Sequence, residues 1–250
     1  MTSVSDPANP EERVAALAAV AHRLHEEVRG AQEAAEACEA VVRAAEAALP
    51  GLLGASVTVR RGQRVTTVAG SGDVPRRADD AQYAAGQGPC LEAIASGCRV
   101  HVEDTAAEGR WPRVTRSFTE LGVRSVLSSP LVPVDDLEWA AGLNLYAAAP
   151  AGFDPDQRAR AGVLQAVAAG SLSAFAHRRR ALNLEEAVAS NRDIGAAVGV
   201  LMALRKLTRE QAMLELRRVS QNANRKLRDV AAEVLDTGQL SDPAVGAVQR

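Results

Sequence analysis

The sequence has few of the residues that mark secreted, metal-binding or aromatic-rich proteins. Aromatic side chains make up 3% of the chain, and its three cysteines, Cys38, Cys90 and Cys98, form no CxxC pair. An odd number of cysteines in this arrangement favours neither a disulfide framework nor a zinc site. We therefore expect buried or free thiols and no bound metal.

Long apolar runs are missing as well. No run approaches the roughly 18 apolar residues that cross a bilayer. The N-terminal stretch MTSVSDPANPEER lacks the basic and apolar parts of a secretion signal. These absences argue against a membrane-spanning or exported protein, and we expect a cytoplasmic protein with no membrane partner.

A heptad-like pattern follows the polar N-terminus. Apolar residues recur at alternating spacings of three and four from Leu17 to Leu49, with an interruption at Gly30. The pattern is typical of a coiled coil, and the alternative is a helical hairpin that packs on its own domain. We predict a disordered tail at 1–10 and a helix or coiled coil at 11–49, which favours a homodimer.

The middle of the chain predicts an α+β domain. Two β-branched runs, at 56–60 and 64–68, flank a short turn and predict an antiparallel hairpin. The other expected strands lie at 99–103, 125–132 and 140–148, and the expected helices lie around Tyr83, at 91–95 and at 110–121. Short strands with inserted helices indicate one antiparallel sheet flanked by helices, in a domain at 50–176.

Residues 191–240 contain three short amphipathic patterns. Their apolar positions are Ile194, Ala197, Val198, Leu201 and Met202, then Ala212, Met213, Leu216 and Val219, then Leu227, Val230, Ala231 and Val234. Ser190 is a candidate cap for the first helix, Thr208 begins a capping box with Gln211, and Gly238 suits the end of the third helix. Such short helices are unstable alone, so we predict an all-α three-helix bundle at 191–240 and a loose tail at 241–250.

The segment between the two domains is predicted to be a helical linker at 177–190. No proline follows Pro155 before the second helix of the bundle, which favours one long helix from the first domain into the bundle. Gly162 and Gly170 weaken this helix, and the run at 177–180 indicates an exposed turn.

Cationic residues are concentrated in the bundle. From Arg205 to Arg228, eight Arg and Lys residues against two Glu leave an excess of six positive charges, whereas the whole chain has a net charge of −2. Overall composition therefore does not explain the cluster. It is either a solvated helical face or a nucleic-acid contact.

Three motifs stand in this bundle: Ile-x-x-Ala-x-Gly-x-Leu-Met from Ile194, Thr-x-x-x-Ala from Thr208, and Leu-Arg-x-Val-Ala from Leu227. Together they resemble the ANTAR family of RNA-binding transcription antiterminators. The sequence departs from the family at Val198, where a Lys is frequent. The resemblance implies a protein that dimerises, binds RNA hairpins in nascent transcripts and prevents a terminator hairpin from forming.

The candidate RNA-binding residues lie around the junction of the second and third helices. Arg and Lys neutralise phosphates, while small polar side chains suit the edges of unpaired bases. We assign RNA contact to Arg217, Arg218, Ser220, Gln221, Asn222, Asn224, Arg225, Lys226 and Arg228. Arg225 and Arg228 are predicted to share an outward side of the third helix. For Ser220 and Asn222, helix capping is an equal alternative.

Several strings in the first domain resemble GAF sensory domains: GQGPCLEAI, RWP, LGVRSVLSSPL, LNLYA and the pair Phe153-Asp154. As a class, GAF domains bind cyclic nucleotides, haem or tetrapyrroles, or bind nothing and serve as dimerisation scaffolds. The resemblance therefore implies a sensory fold without choosing a small-molecule ligand, and we predict no cofactor.

Cys90 and His101 are the candidate sensor residues of this domain. Cys90 begins a helix after a Gly-x-Gly-Pro loop, where the helix dipole lowers the pKa of a thiol and makes it reactive. His101 lies on an expected strand and is a candidate haem ligand. The alternatives are an inert buried thiol and a hydrogen-bonded structural histidine.

These observations predict a cytoplasmic regulator in which the GAF domain receives a signal and the ANTAR bundle binds RNA. A small-molecule enzyme is a second hypothesis, but no nucleophile, base and orienting group form a recognisable set, and we expect no catalytic residues. A DNA-binding regulator is a third. Against it, the segment 221–224 lacks the glycine of a helix-turn-helix turn.

Overall fold

The computed structural model describes residues 9–132 and 139–240. The chain divides into two compact units, with the boundary after His177. The predicted tails at 1–10 and 241–250 lie outside the described residues, apart from Asn9 and Pro10. Asn9 caps the first helix by accepting a hydrogen bond from the backbone of Glu11, and Pro10 begins that helix.

The N-terminal heptad region forms two helices, α1 (Pro10–Gly30) and α2 (Ala34–Ala48). The division after Gly30 agrees with the interruption in the pattern. Leu24, Val28 and Cys38 are buried in the core of their own unit. The apolar seam is thus largely covered within the chain, as in a helical hairpin, and it no longer argues for a coiled coil with a second copy.

The first unit is built on an antiparallel sheet. Its strands are β1 (Gly54–Arg61), β2 (Arg64–Gly70), β3 (Val100–Val102), β4 (Ser125–Val132) and β5 (Trp139–Ala147). Their spatial order is β2-β1-β5-β4-β3, and every neighbouring pair is antiparallel. The predicted hairpin and the three later strands are confirmed.

Helices cover both faces of this sheet. The further helices of the first unit are α3 (Asp73–Ala85), α4 (Pro89–Ser96) and α5 (Pro112–Glu120). Val126 and Tyr146 pack with residues of α3 and α5, whereas Val57 and Leu145 point to the other face, the side on which α2 packs. Alternate residues of each strand therefore serve two separate cores.

A single helix, α6 (Pro155–Arg205), contains 51 residues. It confirms the predicted long helix, but it also shows that 177–180 is not a turn and that Ser190 is not a cap. By length and composition, α6 is the only helix in the described residues that is apolar enough to cross a membrane. Only 17% of that apolar stretch is buried within the described residues.

The second unit combines the end of α6 with α7 (Arg209–Asn222) and α8 (Leu227–Thr237). The predicted inward residues form its core or pack against it, except Met202, which is 37% exposed. Thr208 and Gln211 form the expected capping box, and Gly238 ends α8 with a φ of 68°. The third helix begins at Leu227 and not near Asn224 as predicted.

Candidate functional site

The turn between α7 and α8 brings the predicted RNA-binding residues to one end of the second unit. The backbone N–H of Arg225 donates to the carbonyl of Ser220 at 3.0 Å, and the Ser220 hydroxyl donates to the carbonyl of Arg225 at 2.6 Å. Asn224 adopts a φ of 49°, a left-handed conformation that Asn tolerates better than most residues. These contacts close a tight turn.

Neither Ser220 nor Asn222 caps the third helix, which was the alternative to RNA contact for these two residues. The N-cap of α8 is Lys226, while Asn222 is the last residue of α7. Ser220 bonds to the turn, as described above. Gln221, Asn222 and Asn224 are exposed and remain available to a partner.

Several cationic residues of the second unit lie beside acidic residues. Arg225 contacts Glu233 at 2.5 Å, Arg205 contacts Glu215 at 2.7 Å, and Arg228 lies 3.6 Å from Asp229. Arg225 also donates to the carbonyl of Asp229 at 3.4 Å. Arg225 therefore precedes α8 and is held against it, which corrects the expectation that it projects freely beside Arg228.

Other cations are exposed and form no ion pair within the described part of the chain: Lys206, Arg209, Arg217 and Lys226. Arg209 and Arg217 are two turns apart on α7, and Leu214 between them is 68% exposed. With Glu210 and Met213 they line a shallow concavity of about 440 Å³. The assignment from sequence left out Arg209, although its i, i+8 spacing from Arg217 indicates a shared helix face. We call Arg209, Arg217 and Lys226 the cationic set.

Val198, where the resemblance places a frequent Lys, is 3% exposed and lies in the core of the second unit. A cationic residue at this position of α6 would have to leave that core to reach a phosphate. The cationic set therefore comes from α7 and from the turn that precedes α8.

A buried polar cluster lies between the sheet and α3 in the first unit. Its members are Ser56, Thr58, Thr67, Asp79, Tyr83, Asn144 and Tyr146. Oδ1 of Asp79 accepts from the hydroxyl of Tyr146 at 2.5 Å and from the amide of Asn144 at 3.0 Å. Oδ2 accepts from Thr67 at 2.7 Å. Such pairing offsets the cost of burying polar groups.

Burial raises the pKa of Asp79 to about 6, against hydrogen bonds that lower it. A carboxyl group with a pKa near neutrality is a feature of catalytic acids and bases. Asp79, however, is completely buried, and both of its oxygens accept hydrogen bonds from side chains of the protein. The cluster therefore links α3 to the sheet, with the carboxyl group of Asp79 enclosed by its hydrogen-bond partners.

An open cavity of about 1140 Å³ adjoins this cluster and shares Tyr83 with it. The other polar and aromatic side chains of its lining are Arg60, Gln63, Arg64, Gln87, Glu92, Trp111 and Trp139. Typical small-molecule sites measure about 300–1,000 Å³, so the cavity is large enough for a ligand. Its mixed charges do not select one ligand class.

Cys90 does not have the environment of a reactive thiol. Its side chain is 1% exposed, and burial raises its pKa to about 12. Its backbone N–H donates to Oε1 of Gln82 at 2.8 Å. The position of Gln82 also explains why residue 88 is a glycine, because a Cβ at residue 88 would lie 2.6 Å from Oε1 of Gln82. The prediction of a lowered pKa is wrong, since desolvation outweighs the helix dipole.

His101 lies on β3 with its ring edge-on to Phe153, at 6.2 Å between centroids. Burial lowers its pKa. The ring lines neither the cavity beside Tyr83 nor the second cavity of this unit, described below. Its Nε2 is buried without a hydrogen-bond partner among the described residues, so the expected structural hydrogen bond is not made at this nitrogen, and neither cavity brings a haem to the ring. Within the described residues, no three His, Cys, Asp or Glu side chains are grouped as metal ligands.

Two family models match the chain one after the other. A GAF domain model matches residues 31–173, more than half of the chain, and an ANTAR domain model matches residues 182–235. The chain belongs to the GAF–ANTAR family. The fold class and the order of the two domains predicted from the sequence are confirmed. The individual domain boundaries remain predictions.

The GAF–ANTAR protein also resembles solved structures of low sequence identity. The N-acylhomoserine lactone-dependent LuxR family transcription factor CepR2 from Burkholderia cenocepacia is 20% identical with a TM-score of 0.53, and the match covers 67% of this chain and 99% of that one. A GAF sensor protein from Burkholderia vietnamiensis is 17% identical with a TM-score of 0.52, covering 71% and 99%.

The free methionine-R-sulfoxide reductase from Neisseria meningitidis, solved with its substrate, is also 17% identical, with a TM-score of 0.51 and coverage of 71% and 99%. At these identities the likeness shows the fold alone. No curated protein matches the chain.

Proposed function

We propose that this GAF–ANTAR protein is a cytoplasmic transcription antitermination regulator. The ANTAR domain binds RNA stem-loops in nascent transcripts and prevents terminator formation, and the GAF domain receives a signal. The observation that carries the proposal is the exposed cationic set within the ANTAR match, in a chain whose net charge is −2. Exposed cations without acidic partners are available to neutralise phosphates.

The turn between α7 and α8 supports contact with RNA bases. Gln221, Asn222 and Asn224 are exposed beside Lys226, and their amides both donate and accept hydrogen bonds at the edges of unpaired bases. DNA is the second candidate. The missing glycine in the turn no longer argues against it, because Asn224 itself adopts the left-handed conformation.

The GAF domain acts as a receiver and not as an enzyme in this proposal. The carboxyl group of Asp79, whose pKa is raised to about 6, is enclosed by its hydrogen-bond partners. The buried thiol of Cys90 has a raised pKa and is not a nucleophile at neutral pH. Turnover of a small molecule that is lost on changing one residue of the cavity would overturn this part of the proposal.

A homodimer formed along α6 completes the proposal. Ala181, Leu184, Val188, Asn191 and Gly195 follow one another at spacings of three and four residues, and all are exposed. We call these residues the α6 stripe. Small and apolar residues at this spacing form the seam of a two-stranded coiled coil, in which a single Asn fixes the register. A second copy of the chain would cover the stripe.

Capture of bound nucleic acid from cells tests the proposal. The full chain is cross-linked in growing cells and recovered, and the attached RNA and DNA are sequenced, with Arg217→Ala/Lys226→Ala as the matched variant. We expect stem-loops that precede terminators to be enriched with the wild-type chain and lost with the variant. Enrichment of duplex DNA, or of no nucleic acid, would contradict the proposal.

A further inference from the structure

A second cavity lies on the other face of the GAF sheet from the polar cluster. It measures about 210 Å³ and is bounded by α2, α6 and the β1–β2 hairpin. Its lining residues are Ala34, Cys38, Val59, Arg61, Arg64, Thr66, Val68, Trp139, Leu172 and Phe175. Most of them are apolar, and burial raises the pKa of the Cys38 thiol to about 12, so this side chain is a neutral part of the wall.

Two arginines face each other at this cavity. Arg61 and Arg64 are directly paired across the hairpin, so their side chains share one face of the sheet. Both are exposed, and neither forms an ion pair with residues 9–132 or 139–240. Like charges directly opposite each other destabilise a strand pair. An anion between the two guanidinium groups would remove that repulsion.

We propose that this cavity binds a small carboxylate with a compact apolar body. The apolar part would occupy the space between Val59, Val68 and Leu172, and the carboxylate would accept hydrogen bonds from Arg61 and Arg64. A water molecule takes about 30 Å³ of liquid volume, so the cavity holds roughly seven to nine non-hydrogen atoms. Benzoate and hexanoate have this size and charge.

The position of the cavity gives the ligand direct contact with α6. Leu172 and Phe175 belong to the same continuous helix that supplies Ala197 and Leu201 to the core of the ANTAR unit. That the bound carboxylate is the signal for the ANTAR domain rests on the proposed function. The binding itself is independent of RNA and is measured without it.

Titration of the full chain with benzoate and with hexanoate tests the site. By the affinity usual for ligands of this size, we expect a Kd of roughly 0.1–1 mM, and much weaker binding of the neutral amides of the same acids. Methyl NMR signals should shift at Val59, Val68 and Leu172. The methyls of Ile94, which lines the larger cavity, should not move.

Two pairs of variants separate the carboxylate contact from the apolar contact. Arg61→Gln should weaken benzoate binding about five- to tenfold by removing a charged donor, whereas Arg60→Gln, next in the strand but on the opposite face, should not. Ala34→Leu narrows the cavity and should abolish binding, while Ala35→Leu, exposed on the same helix, should not.

Several results would overturn the proposal: no saturable binding of either acid at millimolar concentration, equal binding of acids and amides, or equal affinities of the Arg61 and Arg60 variants. The RNA-binding proposal would stand in any of these cases. Conversely, loss of RNA binding would leave the carboxylate site intact.

Discussion

The hydroxyl of Tyr146 on β5 donates a 2.5 Å hydrogen bond to Oδ1 of Asp79 on α3, with both side chains completely buried. The same carboxyl group accepts from Thr67 on β2 and Asn144 on β5. One acidic side chain thus connects a helix to two strands. Because this contact replaces water around a carboxylate with a few fixed dipoles, the protonation of Asp79 is linked to stability.

The pH dependence of stability should reveal this linkage. Burial raises the pKa of Asp79 to about 6 from an ordinary value of 3.8. Between these values the folded state holds the proton more often than the unfolded state, so the contribution of Asp79 to stability is complete below pH 4 and falls as pH rises towards 6. We expect a loss of about 2–3 kcal/mol between pH 4 and pH 7 from this group.

The measurement is the free energy of unfolding by urea, compared at each pH between the wild-type chain and Asp79→Asn. Asparagine does not titrate. As pH rises from 4 to 7, the free energy of unfolding of the variant should therefore increase by about 2–3 kcal/mol relative to that of the wild-type chain. Parallel curves from pH 4 to pH 7 would show that Asp79 titrates normally.

The three cysteines should differ sharply in reactivity. Cys98 is exposed, whereas Cys38 and Cys90 are buried with raised pKa values. We expect iodoacetamide at pH 8 to modify Cys98 in the native chain within minutes, while Cys38 and Cys90 react only after unfolding. Mass spectrometry of the wild-type chain and Cys98→Ala checks this. Rapid modification of native Cys90 would restore it as a sensor candidate.

The α6 stripe should control the oligomeric state. Leu184 and Leu182 are 65% and 45% exposed, but they lie on different sides of the helix because each residue turns the chain by about 100°. We expect Leu184→Glu to convert a dimer into a monomer in light scattering at micromolar concentration. Leu182→Glu, the matched control, should remain dimeric. A wild-type monomer would contradict the dimer, and equal behaviour of the two variants would contradict its formation along the α6 stripe.

Much of the fold was predictable because local patterns determine it. The β-branched runs around Gly62 give β1 and β2, and the capping box at Thr208 marks the start of α7. Periodicity predicts that a helix has an apolar face, but it does not identify what covers that face. For this reason, the seam from Leu17 to Leu49 suggested a second chain, although residues of the same unit bury most of it.

The sites were less predictable because they depend on residues that are distant in the sequence. Asp79 and Tyr146 meet only after the sheet has formed, and the burial of Cys90 follows from α4 packing on that sheet. The sequence suggested that Arg225 is free, but it forms an ion pair with Glu233, eight residues further along the chain. This pair was missed because α8 begins at Leu227 and not near Asn224, so Arg225 precedes the helix and does not lie on its outward side. Charge counts alone do not reveal such pairs.

The most direct test of the central claim is the salt dependence of RNA binding by the ANTAR domain in the full chain. Arg217 and Lys226 are exposed and unpaired within the described residues, so each is expected to neutralise one phosphate. Changing both to Ala removes two contacts, each contributing slightly under one unit to the slope of log K against log salt. The matched control is Arg113→Ala/Arg116→Ala, which removes two exposed arginines from the GAF domain.

Binding of a stem-loop RNA is measured from 50 to 300 mM salt for the wild-type chain and both double variants, with a DNA duplex of the same stem as competitor. We expect the Arg217/Lys226 variant to bind more weakly and to lose about one to two units of slope. The control should match the wild type, and the DNA should compete poorly. An unchanged slope and affinity in the folded Arg217/Lys226 variant, or equal competition by DNA, would contradict the account.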